Sequence, residues 1–577
     1  MALSRFRSRG AACAALALSL VAVGRIAATW PVFSQTFDEP FHLAAGMEWW
    51  QSGSYTLEAL HPPLARIAIA FLPWVHSTPG GAHIGGTLDA MGEGNALLLR
   101  GDYPHNLALA RAGVLPFFLL AVVCVFGLAR KLHGDAAAVC AVLLFTTLPP
   151  VLAHAGLATT DMAVTATLAA AVLAFLHWLE SPSRWRALLL AVAVAASILS
   201  KFSALVFLPV CFLAGVLCTA PARRIRGASL TPQEREAARG ARRRQLLLVL
   251  AVTAICTWAT YRFAAYPLVD PRPPHLSAWL QPVYSTVKSV PLPAPELWRG
   301  LSRVAREDFR GRVSYCLGEV RVGGFWYFFL VALLFKTPLP FLALCVGGGI
   351  VAAREARRQR DPRLLLAVAC ACAILCVVLP SRIDIGLRHV LPIFPFLAVA
   401  AGYGLAHGFS VLGVTGQVVG RAGWRRIALP ALAVVLLSWH LADSVTAHPD
   451  YLAWFNGLAG RQPDRILLDS DLDWGQDGLR LRTELQRLGV REFSLAYHGS
   501  ADLRELGLPP FHPLPPFQPT SGWIAISEFR LKVGGTAAAQ IGGYRWLEQY
   551  QPAAMAGRSI RIYYIPAQAP GLTRQAR

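Results

Sequence analysis

Long apolar runs, separated by short arginine-bearing loops, constrain this chain more than any other feature. A membrane-crossing helix needs roughly 20 apolar residues, within a range of about 17 to 25. Such runs lie near 11–30, 107–129, 135–152, 158–179, 185–200, 203–220, 246–266, 325–352, 364–380, 389–409 and 427–442, which reads as eleven spans. Lys201 divides what is otherwise one continuous apolar stretch over 185–220. The first run also has the position of a signal peptide, but no small-residue cleavage site stands out after it.

Composition agrees with a membrane protein. The 577 residues are 55% hydrophobic and 15% charged, with a mean hydropathy of +0.45. An ordinary soluble domain carries about 25% charged residues, so soluble cores alone do not account for this balance. The formal net charge is +21. A basic balance can mark nucleic-acid binding, but here the arginines sit in loops between apolar runs, where positive-inside topology explains them. Of the eleven cysteines, Cys13, Cys124, Cys140, Cys211, Cys256, Cys370, Cys372 and Cys376 lie inside apolar runs and read as small buried hydrophobes. No disulfide framework is visible.

Orientation follows from the same loops. Arg5, Arg7 and Arg9 precede the first run, and Arg130, Lys131, Arg184 and Arg186 occupy later loops. The stretches PARRIRGASLTPQEREAARGARRRQ, REARRQRDPR and GRAGWRR follow. With eleven spans all of these fall on one side, taken as cytoplasmic, with a bacterial inner membrane as the expected setting. The opposite side receives the loop at 31–106 and the tail from 443 to 577. Residues 267–323 break the pattern. They fall outside, yet carry Arg299, Arg303, Arg306, Arg310, Arg312 and Arg321, which suits either a solvated basic helix or an anionic lipid substrate.

The tail differs in kind. Short strand-like runs such as GWIAISEF and RIYYIP surround an amphipathic helix with Leu479, Leu481, Leu485 and Leu488. The expected architecture is a polytopic α-helical membrane domain over 1–442 and a small external α/β domain over 443–577.

The chemistry-bearing residues begin in SQTFDEPFHLAAGMEWW. Asp38 and Glu39 open the first external loop, followed by a Trp-rich amphipathic stretch suited to the membrane interface and by HPPLAR, with His61 and Arg66 about a rigid Pro-Pro turn. Cations beside carboxylates at headgroup depth suit a reaction on a phospholipid-like substrate. Charges inside spans are costly and usually functional, or else snorkel to the headgroups. Arg66, Arg111, Lys201, Lys336, Arg388 and His389 lie within spans or at their external ends, and Lys201 and Lys336 lead as cations for a leaving phosphate.

FDEPFH, GMEWWQSGSY and HPPLAR together resemble the first external loop of the GT-C glycosyltransferases. The nearest branch is that of protein O-mannosyltransferases and lipid A aminoarabinose transferases, which use polyprenyl-phosphate sugar donors. LATTDMAVTATLAAAVLAFLHWL, SILSKFSALVFLPV, YCLGEVRVGGFWYFFLVALLFKTPLP, GLRHVLPIFPFLAVAAG and DSDLDWGQD are similar to later family segments, in order. The resemblance implies a GT-C-like transmembrane fold and roles residue by residue. Asp38 would be the catalytic base on the acceptor hydroxyl, Glu39 would orient the acceptor or hold a cation, and Asp161 would be a second functional acid. His61 and Arg388 would serve the donor phosphate, joined by Arg66, Lys201, Lys336 and His389 on the ground of their placement alone. His61 departs from the aminoarabinose branch, which has a lysine before Pro-Pro. The implied partners are a lipid-linked sugar donor and a protein, lipid or glycan acceptor, with no nucleic acid.

Displacement at the sugar carbon by an acceptor activated opposite the leaving group inverts the anomeric centre. Asp38, Glu39 and His42 are close enough in sequence for a divalent cation, but no metal-ligand spacing accompanies them, and HLAAGME is not an HExxH helix. In DSDLDWGQD, Asp469, Asp471, Asp473 and Asp477 lack the Gly and closing Glu of a calcium loop, and a structural or acceptor-facing role is expected. Two rival classes remain. A lipid-linked-sugar transporter or flippase would place charges at the midplane of inverted repeats, whereas these acids gather at one face and the halves show no two-fold similarity. A non-catalytic scaffold would bind envelope polymer through the tail.

Overall fold

The computed structural model describes residues 2–76, 89–228, 231–268, 289–410, 423–535 and 540–567, together with Pro282 and Ser285. Parts of the basic stretches 267–323, PARRIRGASLTPQEREAARGARRRQ and GRAGWRR, of the 31–106 loop and of the tail 443–577 therefore lie outside the described residues. The molecule is mostly helical. Among the described residues, seven helical segments are long and apolar enough to cross a membrane: Arg9–Ala27, Tyr103–His133, Asp161–Glu180, Ala204–Pro221, Leu339–Gln359, Leu387–Ser410 and Ile427–Thr446. The pair Asp135–Thr146 and Pro149–Ala155, bent by 67°, makes an eighth if it is taken as one span.

The sequence reading counts eleven, and the differences have local causes. Pro149 and Pro150 open the second helix of the bent pair and withhold the backbone donors that would continue the first. The run at 185–200 becomes a helix of 17 residues, Arg184–Ser200. The run at 246–266 is the apolar end of a longer helix, Pro232–Thr260, whose first half carries the arginines. The run at 364–380 starts as a 3-10 turn and continues as Leu366–Val378. The run at 325–352 is cut at Thr337–Pro338 into helices Phe328–Lys336 and Leu339–Gln359, because a residue before proline is pushed out of the helical region.

The first loop folds onto the membrane end of the bundle as helices Glu39–Ser52, Pro63–His76 and Ala90–Leu99. The first two meet backbone to backbone at Gly46, where a Cβ would stand 2.0 Å from the Arg66 carbonyl oxygen. Trp50 stacks on Trp74 with ring centroids 4.6 Å apart, beside the partly exposed Phe71. Such an aromatic edge suits the depth of lipid headgroups.

Two short antiparallel pairs follow in the chain, β1 (Ala265–Pro267) with β2 (Pro291–Pro293) and β3 (Val313–Cys316) with β4 (Glu319–Val322). The tail forms one mixed sheet of five strands: β5 (Phe493–Ala496), β6 (Phe511–Pro513), β7 (Gly522–Ser527), β8 (Ala554–Ala556) and β9 (Ile560–Ile565), in spatial order β6-β5-β7-β9-β8. β5 runs parallel to β6 and β7, while β9 runs antiparallel to β7 and β8. The amphipathic helix spans Gly478–Arg487 and buries Leu481 and Leu485 fully, with Leu479 and Leu488 packed at the margin.

The tail is stitched to the first loop by backbone pairing. Ser34 N donates to Gln476 O at 3.0 Å and Phe37 N to Trp474 O at 2.9 Å. Gly478 N donates to Ser34 Oγ at 2.9 Å, and Asn95 Nδ2 to Ser500 O at 2.8 Å. The segment that carries Asp38 is thus clamped between the helix bundle and the tail, and that clamp builds the site.

Candidate active site

Asp38 is the residue before helix Glu39–Ser52, whose first turn contains Pro40. Its Oδ2 accepts a hydrogen bond from Arg388 Nη1 at 2.6 Å. The same Nη1 lies 3.8 Å from Asp161 Oδ2. Asp161 in turn accepts from Lys201 Nζ at 2.5 Å through Oδ1. Four charges of alternating sign therefore form one chain, Asp38–Arg388–Asp161–Lys201. The Asp161 side chain is fully buried, those of Arg388 and Lys201 are nearly so, and that of Asp38 is 23% exposed. The solvent-facing end of the chain is the aspartate nominated as base.

Each member comes from a break in regular structure. Asp161 starts helix Asp161–Glu180 after a turn, and Lys201 sits in extended conformation between helices ending at Ser200 and starting at Ala204. Arg388 and His389 belong to the 3-10 turn Leu387–Ile393 that leads into a span. Such breaks let polar side chains enter an apolar bundle without removing a helical hydrogen bond. Under Arg388, the indole of Trp474 lies 4.2 Å from the guanidinium carbon and gives it a cation–π floor. The sequence reading does not anticipate that contact.

Three buried polar atoms here have no hydrogen-bond partner: Arg388 Nε, His389 Nε2 and Asp161 Oδ2. Unpaired buried donors are costly and call for a partner. Burial pushes the Asp38 carboxyl up, but the charge and hydrogen bond of Arg388 bring it net below the usual value. Asp38 is ionised at neutral pH.

A second group adjoins it. His42 and His61 lie edge to face with ring centroids 5.1 Å apart. Burial and the nearby Arg66 push His42 down to about 3, and His61 well below its usual value, so both rings are neutral. His42 Nδ1 accepts from Arg66 Nε at 3.0 Å, which fixes the tautomer of His42 with its proton on Nε2.

Three residues nominated from sequence hold structural positions instead. Arg66 is fully buried and engaged at every nitrogen: Nε on His42, Nη1 on the Tyr55 hydroxyl and the Glu58 carbonyl, and Nη2 in an ion pair with Glu58. Glu39 is equally saturated. Its Oε1 accepts from Arg111 Nε and Ala158 N, both at 2.8 Å, and its Oε2 from Arg111 Nη2 at 2.9 Å and Thr36 N at 2.7 Å. It locks the loop bearing Asp38 to two spans rather than facing an acceptor or a cation. Lys336 donates to the carbonyls of Leu452 and Asp471, each at 2.6 Å, and lies over Phe455. The helix break at Thr337 puts its ammonium under the tail, where it holds two backbone segments.

The four acids of DSDLDWGQD divide in the same way. Asp471 Oδ1 accepts from Leu387 N at 3.1 Å, Asp473 Oδ2 from Phe529 N at 2.7 Å, and Asp477 Oδ2 from the backbone and hydroxyl of Ser559. They tie this loop to the Arg388 turn and to the sheet. Asp469 stands apart, with φ of 51° and its side chain near both Arg388 and Asp38. Burial pushes it up to about 7, against the pull of Arg388. Among the described residues no group of three or more His, Cys, Asp or Glu is placed to hold a metal ion, and Asp38 and Asp161 already carry cationic partners.

Residues 107–231 match the family described as dolichyl-phosphate-mannose-protein mannosyltransferase. No curated protein matches the chain. Among solved structures, ArnT from Cupriavidus metallidurans bound to undecaprenyl phosphate is similar at 14% identity and a TM-score of 0.48, over 95% of this chain and 97% of that one. The archaeal oligosaccharyltransferase AglB from Archaeoglobus fulgidus, in complex with an inhibitory peptide and a dolichol-phosphate, is similar at 12% identity and a TM-score of 0.49, over 93% and 72%. The matched residues, 107–231, contain Asp161 and Lys201, and the helical segments long and apolar enough to cross a membrane make this a multi-pass membrane protein.

Proposed function

We propose that this protein transfers a sugar from a polyprenyl-phosphate donor to an acceptor hydroxyl at the external face of the membrane, with Asp38 as general base. The observation that carries this is the buried chain Asp38–Arg388–Asp161–Lys201, with unpaired donors on Arg388 and His389 beside it. Lys201, Arg388, His389 and the neutral His61 are the groups for the donor phosphate. Arg66 and Lys336 support the walls.

In the proposed step the acceptor oxygen attacks the anomeric carbon as the bond from that carbon to the phosphate oxygen breaks. The acceptor proton goes to Asp38, and the electron pair of the broken bond leaves with the lipid phosphate. Charge grows on that phosphate, where Arg388 and Lys201 compensate it in surroundings of low dielectric. Attack from the Asp38 side, opposite the phosphate, inverts the anomeric centre.

The ion pair with Arg388 also gives an order of events. Bound to Arg388, Asp38 is a weak base. A donor phosphate competing for the same guanidinium loosens that pair and raises the basicity of Asp38 only when a sugar is in place. This limits wasteful activation of water.

The test is reconstitution in liposomes with a panel of polyprenyl-phosphate sugars and crude envelope acceptors. Transfer with inverted anomeric configuration is expected. Retention of configuration, or movement of the lipid between leaflets without transfer, would contradict the proposal.

A further inference from the structure

Part of the arginine-rich stretch 267–323, which breaks the pattern of loop charges, folds as the helix Pro295–Arg310. Three stripes run along it, each at the i, i+4, i+7, i+11 spacing that puts residues on one face. Leu297, Leu301, Val304 and Asp308 form the first, Trp298, Ser302, Ala305 and Phe309 the second, and Arg299, Arg303, Arg306 and Arg310 the third. Successive residues are about 100° apart around a helix, so the aromatic stripe lies between the other two.

The first stripe faces the protein. Leu297, Leu301 and Val304 are half-buried, and Asp308 Oδ1 accepts from Arg382 N at 3.0 Å and from Ser381 Oγ at 3.1 Å. At Gly300 the helix closes on the Ala59 carbonyl and on the Phe202 ring, which would stand 2.8 Å from a Cβ there. Phe202 follows Lys201, and Arg382 precedes the turn that carries Arg388. The helix is thus fixed at two points against the segments that build the site, and its other stripes are held outward.

Those stripes are open. Trp298 is 46% exposed and Phe309 79%, and Arg303, Arg306 and Arg310 are exposed beside them. Arg299 pairs with Glu296, and Arg306 turns back on Ser302. Among the described residues neither Arg303 nor Arg310 has a hydrogen-bond or ion-pair partner. The depth of the helix follows from its start. Ala294 N donates to Ala264 O at 2.9 Å, four residues beyond the apolar end of the helix Pro232–Thr260. Thr260 O accepts from Trp49 Nε1 at 2.8 Å, beside the stacked Trp50 and Trp74. The helix therefore begins at the level of the aromatic edge, where lipid headgroups lie.

We infer that helix Pro295–Arg310 docks on anionic phospholipid headgroups in the leaflet on the side of the tail. Arg303, Arg306 and Arg310 take the lipid phosphates, and Trp298 and Phe309 enter the apolar boundary beneath them. Guanidinium groups match phosphate oxygens in pairs, and a basic helix with aromatics on the adjoining face is suited to lie in the interface. A zwitterionic headgroup brings its own cation and gains less from the arginines. A free phosphate offers nothing to the aromatic stripe. The inference does not rest on the transferase proposed above.

The test is native mass spectrometry of the full-length protein in detergent, titrated with phosphatidylglycerol or with phosphatidylcholine of the same acyl chains. Wild type is compared with Arg303→Gln/Arg306→Gln/Arg310→Gln, with Phe309→Ser, and with Arg461→Gln/Arg465→Gln/Arg491→Gln, which removes the same charge from exposed positions of the tail. Wild type is expected to bind phosphatidylglycerol more tightly than phosphatidylcholine. The helix triple variant should bind phosphatidylglycerol at least about tenfold more weakly, Phe309→Ser should also bind it more weakly, and the tail variant should bind as wild type. Equal binding by wild type and the helix triple variant, an equal loss in the tail variant, or no preference of wild type for phosphatidylglycerol overturns the inference. Release of the bound lipid by inorganic phosphate overturns it in favour of a free-phosphate site. A dimer that dissociates in Phe309→Ser with phosphatidylglycerol binding unchanged overturns it in favour of a second copy of the chain on this face.

Discussion

At the residue scale, the decisive contrast is between two neighbours. Asp38 and Glu39 are adjacent and chemically alike, yet one faces solvent beside a single guanidinium and the other is sealed by Arg111, Ala158 and Thr36. Their substitutions should separate. Asp38→Asn removes a base and is expected to lower transfer about 10²- to 10⁴-fold with little change in melting temperature. Glu39→Gln strands the buried Arg111, an effect of roughly 3–5 kcal/mol, and is expected to lower the melting temperature or abolish folding. Thermal unfolding in detergent beside a transfer assay distinguishes the two. Sequence supplied the pair but not the division of labour, because the partner of Glu39 lies 72 residues away and nothing local announces it.

A pH effect belongs at this scale too. Glu528 is buried between the tail sheet and Arg561, and burial raises it from about 4.5 to about 7 against the pull of Arg561. Its folded form binds the proton more tightly than its unfolded form. The stability it contributes is therefore fully present below pH 4.5 and is lost as pH rises toward 7. Glu528→Gln removes that dependence. The melting temperature of the variant minus that of wild type should grow between pH 4.5 and 7 and level off above. A difference that shrinks over this range would contradict the assignment.

At the scale of elements, the site is built where helices stop. Lys201, Arg388 and Asp161 all sit at such ends, and Lys336 at the cut before Pro338. The apolar runs, their rough limits and the tail sheet were readable from hydropathy and alternation. The break at Lys201 was readable, because the lysine divides its apolar stretch, but the cut at Thr337–Pro338 was not, since an X-Pro step inside an apolar run carries little weight against its neighbours. That is why the run at 325–352 reads as one span and why Lys336 reads as a phosphate ligand. In the folded chain its ammonium holds the carbonyls of Leu452 and Asp471. Lys336→Met is accordingly expected to lower thermal stability and leave the KM for donor unchanged, whereas Lys201→Met should raise the donor KM and, by stranding the buried Asp161 carboxylate, lower stability as well. Steady-state kinetics over donor concentration, run beside melting curves, reads both. A raised donor KM in Lys336→Met alone would restore its former role.

At the scale of the whole molecule, tail and bundle share one site. Trp474 lies under Arg388, Asp471 accepts from Leu387 N, and Asp469 reaches toward Asp38. The sequence marks DSDLDWGQD as unusual. It cannot place that loop against residues more than 400 positions earlier, because the contact exists only once the sheet has docked on the first loop. Removing the tail at 443 is therefore expected to abolish transfer even where the bundle still inserts. Topology is a matter for the same scale. Seven or eleven spans put the two ends of the chain on opposite sides of the membrane, and eight put them on the same side. With positive-inside loops, single cysteines placed at Arg9 and at Arg504 should label from opposite sides in intact spheroplasts. Labelling from the same side would favour eight spans.

The most direct test is sugar transfer by wild type and Asp38→Asn, in liposomes loaded with the same polyprenyl-phosphate sugar and acceptor, with donor binding measured on the same preparations. The account predicts equal or tighter donor binding by Asp38→Asn, since Arg388 is then free for the phosphate, with transfer reduced at least about a hundredfold. Undiminished transfer by Asp38→Asn, with donor bound normally, would contradict it.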